Sequence, residues 1–384
     1  MDTKVIYQYT YFIYPYLLKN IDYKKYVIEL LNNKKYKLKI FEKEKDIEIY
    51  EFFNKNIINN YFNTTEFNNN SFKKILENNC TIFEYIFSDN TNAENIQKNN
   101  CLIFEIPKIE LICFSTGICF LAIKTQLLNE KININDVLNF NYKMKDINSG
   151  FHRLKSYENI NIKNNFLLGS NDINKKIQEI ISCNPSSRRF FTYSYVCIDL
   201  ENWNSDIDRT ENDFIKYVNV YPSNYDMSLE EDCIIDRINN WKYVKIGFTN
   251  ESMNLLTNNL ENSNFTKLPY EYENKYLYNL IFNLYKKELL ENIKNNNLKL
   301  NLRDNHEKNK IDLFNTELTE DSVGIKINNK LNQIFNIDKE LEKLEKIYRK
   351  KFEFKIIKNY KNMEKIIFII LLISLIFNIT NLLY

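Results

Sequence analysis

The sequence predicts an α+β protein, in which a domain with a mixed or antiparallel sheet precedes a long stalk helix and one C-terminal transmembrane helix. Three observations support this prediction. Short runs rich in β-branched and aromatic residues occupy the first part of the chain. Apolar residues with coiled-coil-like spacing follow near the C-terminus, and the last nineteen residues are almost wholly apolar.

The predicted strands come first. The run Val5–Tyr14 is rich in aromatic and β-branched residues, which favours a strand. Residues 101–106, 108–114 and 117–123 form three further short apolar runs separated by Pro107 and a Ser-Thr-Gly turn. Parallel neighbours need a crossover of about a dozen residues, so such tight spacing predicts an antiparallel meander.

The middle of the chain mixes helices with strands. Residues 135–142 predict a short helix with Asn135 as its N-cap. Residues 190–200 and 241–249 predict two more strands, and residues 210–218 between them predict a helix. Residues 251–256 predict a short helix directly after the second of these strands. Together these elements favour one mixed domain with covering helices.

Long helices are predicted from Tyr270 onwards. Apolar residues recur at helical spacing up to about residue 295, and a polar linker covers residues 295–310. No Pro or Gly occurs between Ile325 and Tyr384, so we predict one continuous helix through the end of the chain. Its coiled-coil-like spacing favours self-association, and the alternative is a helix packed flat on its own domain. The residues with this spacing are Ile327, Leu331, Ile334, Ile337, Leu341, Leu344, Tyr348, Phe352 and Ile356.

Residues 366–384 predict a membrane span, because an uncharged apolar run of about 18 residues or more can cross a bilayer. Seven Lys or Arg residues between 349 and 365 precede the run, which places the preceding chain in the cytoplasm of a single-pass protein of the inner (cell) membrane. A buried C-terminal helix is the alternative. The predicted units are a cytoplasmic sensor-like domain (1–268), a helical hairpin or linker (269–310), a stalk helix (311–365) and the transmembrane helix (366–384).

Three polar residues lie within the predicted span. Ser374, Asn378 and Asn381 follow the spacing i, i+4 and i+7, which places them on one helix face. Amides within a bilayer seek polar partners or water. These residues are therefore candidates for lining a pore between several copies of the chain, and interhelical hydrogen bonds are the alternative.

Composition excludes several function classes. The net charge of +2 and the pI near 7.9 argue against direct nucleic-acid binding. Seven cysteines without a C-x-x-C pair indicate a reducing compartment and argue against a Cys/His metal site. The nucleotide-binding and hydrolase motifs are absent, so we predict neither an enzyme nor a cofactor. Acidic clusters at residues 199–208 and 230–236 could bind a cation, but charge runs in loops are usually solvated surface, so we predict no metal site there. Arg188 and Arg189 are candidate phosphate ligands, and the alternative is that they are ordinary surface arginines.

The segment Ile109–Ile123, followed by residues 135–141, resembles divergent, defence-associated members of the CorA-like metal-ion transporter superfamily, the membrane proteins that accompany type III CRISPR systems. The order of domain, stalk helix and C-terminal span is also similar. This resemblance implies a homo-pentameric membrane protein whose cytoplasmic domains bind a nucleotide second messenger and gate the membrane part. Family members have two spans and a Gly-Met-Asn motif, whereas this chain has one predicted span and Asn378-Ile-Thr-Asn381 near the expected place.

The sequence therefore leads to one functional expectation and two alternatives. We expect a membrane-anchored homo-oligomer that acts as a ligand-gated channel or membrane effector in antiviral defence. The first alternative is a tail-anchored cytoplasmic enzyme or adaptor that its span only localises. Divalent-cation transport is the weakest alternative, because the family motif is missing.

Overall fold

A computed structural model of the chain defines its architecture. The residues that the structure describes are 3–18, 22–64, 75–86, 102–145, 160–162, 190–200, 203, 207–226, 236–241, 244–258, 268–295, 314, 316–344 and 346.

One large mixed sheet forms the centre of the described chain. Its main path has the order β2-β3-β4-β5-β1-β8-β11-β10-β9, with β6 beside β1 and β7 beside β4. The predicted α+β class with a mixed sheet is thereby confirmed. The strands are β1 (Lys4–Leu17), β2 (Tyr36–Leu38), β3 (Cys80–Tyr85), β4 (Leu102–Phe114), β5 (Ile118–Leu127), β6 (Ile132–Asn133), β7 (Ile160–Ile162), β8 (Phe191–Asp199), β9 (Asp236–Trp241), β10 (Val244–Phe248) and β11 (Ser252–Asn258).

Most neighbouring strands are antiparallel, and β8 with β11 and β4 with β7 are parallel pairs. The strands predicted near residues 5–14, 190–200 and 241–249 are present as β1, β8 and β10. The three-strand prediction for residues 101–123 is wrong, because residues on both sides of Pro107 belong to the single strand β4. Pro107, which has no N–H to donate, lies at a register shift between Glu105 and Lys108.

The helix predicted at residues 251–256 is also wrong. Ser252–Asn258 form β11, which is buried along its whole length. Met253 faces Phe248 of β10 on one side and Tyr193 of β8 on the other. The segment is too short for its own periodicity to decide its state, and pairing on both edges makes it an interior strand.

Helices cover both faces of the sheet and form two separate hydrophobic cores. The face that carries Phe12, Tyr14 and Leu111 packs against α1, α4 and α5. The opposite face packs against α2, α3, α6 and α7. These helices are α1 (Tyr23–Asn32), α2 (Ile47–Phe52), α3 (Lys55–Tyr61), α4 (Ile134–Met144), α5 (Ile207–Asn219), α6 (Leu268–Lys294) and α7 (Ser322–Ile334).

The predicted helix near residues 135–142 exists, but it begins at Ile134, two residues earlier than a cap at Asn135 would place its start. The N-cap is Asn133, whose side chain accepts from the Asp136 N–H at 2.9 Å, while Asp136 accepts from the Asn133 N–H at 3.0 Å. This reciprocal capping box satisfies two backbone donors. Asn135 lies inside the helix, so the prediction of Asn135 as the cap is wrong.

Helix α6 confirms the helix predicted from Tyr270 to about residue 295. Every residue from Tyr276 to Lys286 is buried, which explains why the helix has no continuous polar face. It lies on the sheet and also contacts α7. Asn283 Nδ2 donates to Asn328 Oδ1 at 2.8 Å, and Lys294 pairs with Glu340 at 3.4 Å, so α6 and residues 322–344 run side by side in the same direction.

The continuous helix predicted from Ile325 is interrupted. Helix α7 ends at Ile334, and Asn336 has a φ of 51°, in the left-handed region that asparagine tolerates better than most residues. A new helical segment covers residues 337–344, beginning with a hydrogen bond of 3.0 Å from the Glu340 N–H to the Asn336 carbonyl. The prediction of one unbroken helix is therefore wrong at Phe335 and Asn336.

Up to Leu344, the coiled-coil-like apolar residues pack on the protein's own domain. Ile327, Leu331, Ile337 and Leu344 are buried in the core that α6 shares with the sheet. The alternative of a helix packed flat on its domain therefore holds for residues 322–344, and this part of the seam is not free for self-association. None of the helices in the described ranges is long and apolar enough to cross a membrane, and the predicted span at 366–384 lies outside those ranges.

Candidate functional site

A cavity of about 150 Å³ opens at one end of the sheet, beside the second half of α6. Residues near the end of β1, near the start of β5 and at the start of β8 meet there, because β1 is antiparallel to both neighbours. The turn between β10 and β11 completes the wall. The lining residues are Pro15, Phe120, Phe190, Phe191, Asn250, Glu251, Leu284, Lys287 and Glu288.

The inner wall of the cavity is apolar and aromatic. Phe120, Phe190, Phe191 and Leu284 are all buried. The Phe190 ring packs edge to face against Tyr14, with ring centroids 5.7 Å apart, which holds this part of the wall in place. A wall built from packed rings keeps its shape before a ligand arrives, as ligand pockets usually do.

The outer wall is a hydrogen-bonded turn. Thr249 Oγ1 and Ser252 Oγ lie 2.8 Å apart, and the Glu251 N–H donates to Thr249 Oγ1 at 3.2 Å. The Thr192 N–H donates to the Glu251 carbonyl at 2.9 Å, which ties the turn to β8. These bonds fix the position of Asn250 and Glu251, whose side chains are exposed at the mouth of the cavity.

Glu288 supplies the chemically distinctive group of the cavity. Burial, together with the nearby Glu291 carboxylate, raises the pKa of Glu288 to about 7, although Lys287 opposes the shift. The Glu288 carboxylate makes no hydrogen bond or ion pair with any residue in the described part of the chain. A carboxyl group that titrates near neutral pH beside a cavity is a common feature of functional sites.

The cavity wall is joined to the interruption after α7. Phe335, the residue that follows α7, packs edge to face on Phe191 with ring centroids 6.1 Å apart. The Lys287 ammonium lies 5.1 Å from the centroid of the Phe335 ring, in cation–π geometry. Two lining residues therefore contact Phe335, where the C-terminal helical chain is interrupted.

A network of buried charges lies farther along the sheet. Glu110 of β4 is fully buried, and its Oε1 accepts from Lys39 at 2.7 Å, from Lys108 at 3.0 Å and from the Tyr278 hydroxyl at 2.9 Å. Burial alone would raise the pKa of Glu110, but the two lysines lower it to about 2. Because the charges are paired, we interpret this network as the anchor of α6 on the sheet.

A second ion pair strengthens the same contact. Glu273 of α6 accepts from the Tyr11 hydroxyl at 2.5 Å and from Lys124 at 2.7 Å. Burial and the neighbouring Glu273 raise the pKa of Tyr11, so this phenol stays protonated and donates. The first half of α6 is thus fixed to the sheet, while its second half borders the cavity.

The site residues predicted from the sequence lie outside the described ranges. This applies to the pore candidates Ser374, Asn378 and Asn381 and to the phosphate candidates Arg188 and Arg189. In the sequence, Arg189 directly precedes Phe190, which lines the cavity.

The cavity itself was not predicted from the sequence. Its aromatic residues come from two places that are distant in sequence, Phe120 near the start of β5 and the adjacent pair Phe190 and Phe191 at the start of β8. Glu288 stands in the ordinary helical run Tyr285-Lys-Lys-Glu-Leu-Leu. Among the described residues, no group of three or more His, Cys, Asp or Glu side chains is arranged to hold a metal ion. No protein-family model and no curated protein matches this chain.

Proposed function

We propose that this protein is a membrane-anchored ligand sensor, whose α/β unit binds a small ligand in the cavity and transmits binding to its C-terminal segment. The observation that carries the proposal is the contact of Phe335 with both Phe191 and Lys287. A ligand that moves Phe191 or Lys287 would change the contacts that hold Phe335, and with it the position of the chain after α7. This chain belongs to the predicted stalk (311–365), and the predicted span (366–384) follows that stalk in the sequence.

The output in this proposal is a gated membrane part. The apolar run at residues 366–384 and its basic flank support an anchor with the α/β unit in the cytoplasm. Ser374, Asn378 and Asn381 supply a polar face for a pore between copies of the chain. Because the coiled-coil-like residues up to Leu344 are buried or half-buried against the protein's own core, we propose that any self-association uses the segment beyond them.

A nucleotide second messenger remains a proposed ligand. Its support is the pair Arg188 and Arg189, which directly precedes the lining residue Phe190 in the sequence. A cavity of about 150 Å³ is below the usual size for a drug-sized ligand, so it would accept one group of such a messenger that carries no negative charge, and not its phosphates. Antiviral defence as the biological role follows only from the family resemblance and is proposed on that ground.

The test is a flux assay with a reversible lock. Cysteines replace Asn283 and Asn328, which face each other across α6 and α7, and a short bifunctional thiosulfonate joins them. The full chain is placed in vesicles and exposed to a panel of nucleotides and small amines. We expect at least one compound to open an ion flux, and the crosslink to reduce that flux about tenfold until a reductant removes it.

Two controls and one contrary result complete this test. Each single cysteine variant, treated in the same way, should keep the flux of the wild type. The four described native cysteines, Cys80, Cys113, Cys119 and Cys197, are buried, which limits their reaction. If no compound opens a flux although the chain is inserted, the channel proposal is wrong.

One observation favours the alternative of a tail-anchored enzyme. The pKa of Glu288 is raised to about 7, which suits a general acid or base at neutral pH. An enzyme would keep its activity in detergent without a sealed bilayer and would lose it on Glu288→Gln. A sensor of the proposed kind needs the bilayer for its output.

A further inference from the structure

We propose that the cavity binds a small organic cation, a primary amine or a quaternary ammonium, with the Glu288 carboxylate as its counter-ion. This inference rests on the cavity used in the proposed function and adds the chemical class of its ligand. The charge, the aromatic wall and the size of the cavity all favour such a ligand.

Charge is the first argument. The lining contains the carboxylates of Glu251 and Glu288 and one ammonium, that of Lys287. The Lys287 ammonium lies over the Phe335 ring, and Glu288 has no ion-pair partner in the described part of the chain. A carboxylate that is largely removed from water costs free energy unless it is paired or protonated. A cationic ligand would provide the missing partner.

The aromatic wall is the second argument. Phe120, Phe190 and Phe191 line the cavity, and the faces of such rings attract cations. An ammonium group is attracted both by the negative faces of aromatic rings and by a nearby carboxylate, so the two features favour the same ligand. An anion would meet the Glu288 carboxylate, and a purely apolar ligand would cover that carboxylate without pairing it.

Size is the third argument. The cavity of about 150 Å³ is well below the usual range for drug-sized ligands, so it suits a small amine or the ammonium end of a larger molecule. Burial raises the pKa of Glu288 to about 7, which is the expected response of a carboxyl group that lacks a cationic partner.

The experiment compares matched probes on the full chain in detergent, at a pH well above the Glu288 pKa. Choline, its uncharged analogue 3,3-dimethylbutan-1-ol, n-butylammonium and butyrate are titrated by calorimetry. We expect choline and n-butylammonium to bind at least about tenfold more tightly than the alcohol and butyrate. Equal affinity for the alcohol, tighter binding of butyrate, or no binding of either cation would overturn the proposal.

Variants locate the binding. Glu288→Gln should weaken the binding of both cations about tenfold, and Glu288→Asp should restore part of it. The control Glu29→Gln makes the same change at an exposed position of α1, on the opposite face of the sheet, and should leave binding unaltered. A Glu288→Gln protein that folds and still binds choline like the wild type would contradict the assignment.

The failure of this inference and the failure of the proposed function are distinguishable. If the cations bind but no panel compound opens a flux, the cation site stands and the sensor proposal is wrong. If a nucleotide opens a flux that the crosslink blocks and neither cation binds, the sensor proposal stands and the cation site is wrong.

Discussion

The Lys287 ammonium lies 5.1 Å from the centre of the Phe335 ring, and this contact joins the cavity wall to the point where the helical C-terminal chain is interrupted. Lys287 belongs to α6, whose first half is fixed to the sheet by two buried carboxylates. Phe335 is therefore held by two residues of the cavity wall, Phe191 and Lys287, and Lys287 belongs to a helix that is itself fixed to the sheet.

Phe335→Ala should release the segment after α7. Phe335 is buried, and its loss removes the contacts with Phe191 and Lys287. We expect the free energy of unfolding to fall by about 3 kcal/mol, as for other buried Phe→Ala changes. Urea unfolding measures the loss, and Phe335→Leu, which keeps most of the apolar volume, serves as the control. If Phe335→Ala lowered the free energy of unfolding no more than Phe335→Leu does, the proposed role of the Phe335 contacts would be wrong.

Glu288 should make stability depend on pH in the acidic range. Its pKa is about 7 in the folded protein, against an ordinary glutamate pKa of 4.5, so the folded state binds the extra proton between these two values. Stability therefore falls as the pH rises from about 4.5 to 7. Urea unfolding of Glu288→Gln across this range should show a weaker pH dependence, whereas the exposed control Glu29→Gln should follow the wild type.

Two asparagines of α6 should respond in opposite directions to the same substitution. The side chain of Asn279 is fully buried, and neither its oxygen nor its nitrogen has a hydrogen-bond partner in the described chain. Asn279→Leu should raise the free energy of unfolding by about 1 kcal/mol. Asn283→Leu removes the bond to Asn328 and should lower it by about 1 kcal/mol. Thermal and urea unfolding of the two variants measure whether the free energy of unfolding rises in the first and falls in the second.

Glu110→Gln should be strongly destabilising. The substitution leaves Lys39 and Lys108 without their shared carboxylate beneath α6, which costs about 3 kcal/mol when buried charges lose a partner. The pKa of Glu110 is lowered from 4.5 to about 2, so its contribution is present above pH 4.5 and is lost as the pH falls towards 2. Glu42→Gln, which breaks an exposed pair with Lys45, should change little.

Much of the fold followed from local patterns. The aromatic and β-branched composition of Val5–Tyr14 predicted β1, and helical spacing predicted α6. The patterns were insufficient where the tertiary environment decided the outcome. β11 is a strand because it has a partner on each edge, and Pro107 is tolerated because it lies at a bulge. The helix interruption at Asn336 could not be predicted, because no Gly or Pro marks it in the sequence.

The cavity illustrates what single-sequence reasoning misses. Phe120, Phe191 and Glu288 come from three separate elements, and only the antiparallel registers of β1 and the placement of α6 bring them together. Glu288 resembles any solvent-facing helical glutamate in the sequence. Its raised pKa results from burial, which no local pattern encodes.

Hydrogen exchange on the full chain tests the central claim most directly. The ligand is a compound from the nucleotide and amine panels whose binding is lost in Leu284→Trp, a variant that fills the cavity from its wall. We predict that bound ligand changes the exchange of the amides in residues 335–344 by at least about fivefold, while α1 is unchanged. Protection confined to the cavity wall, with unaltered exchange at residues 335–344, would contradict the coupling of the cavity to the C-terminal chain.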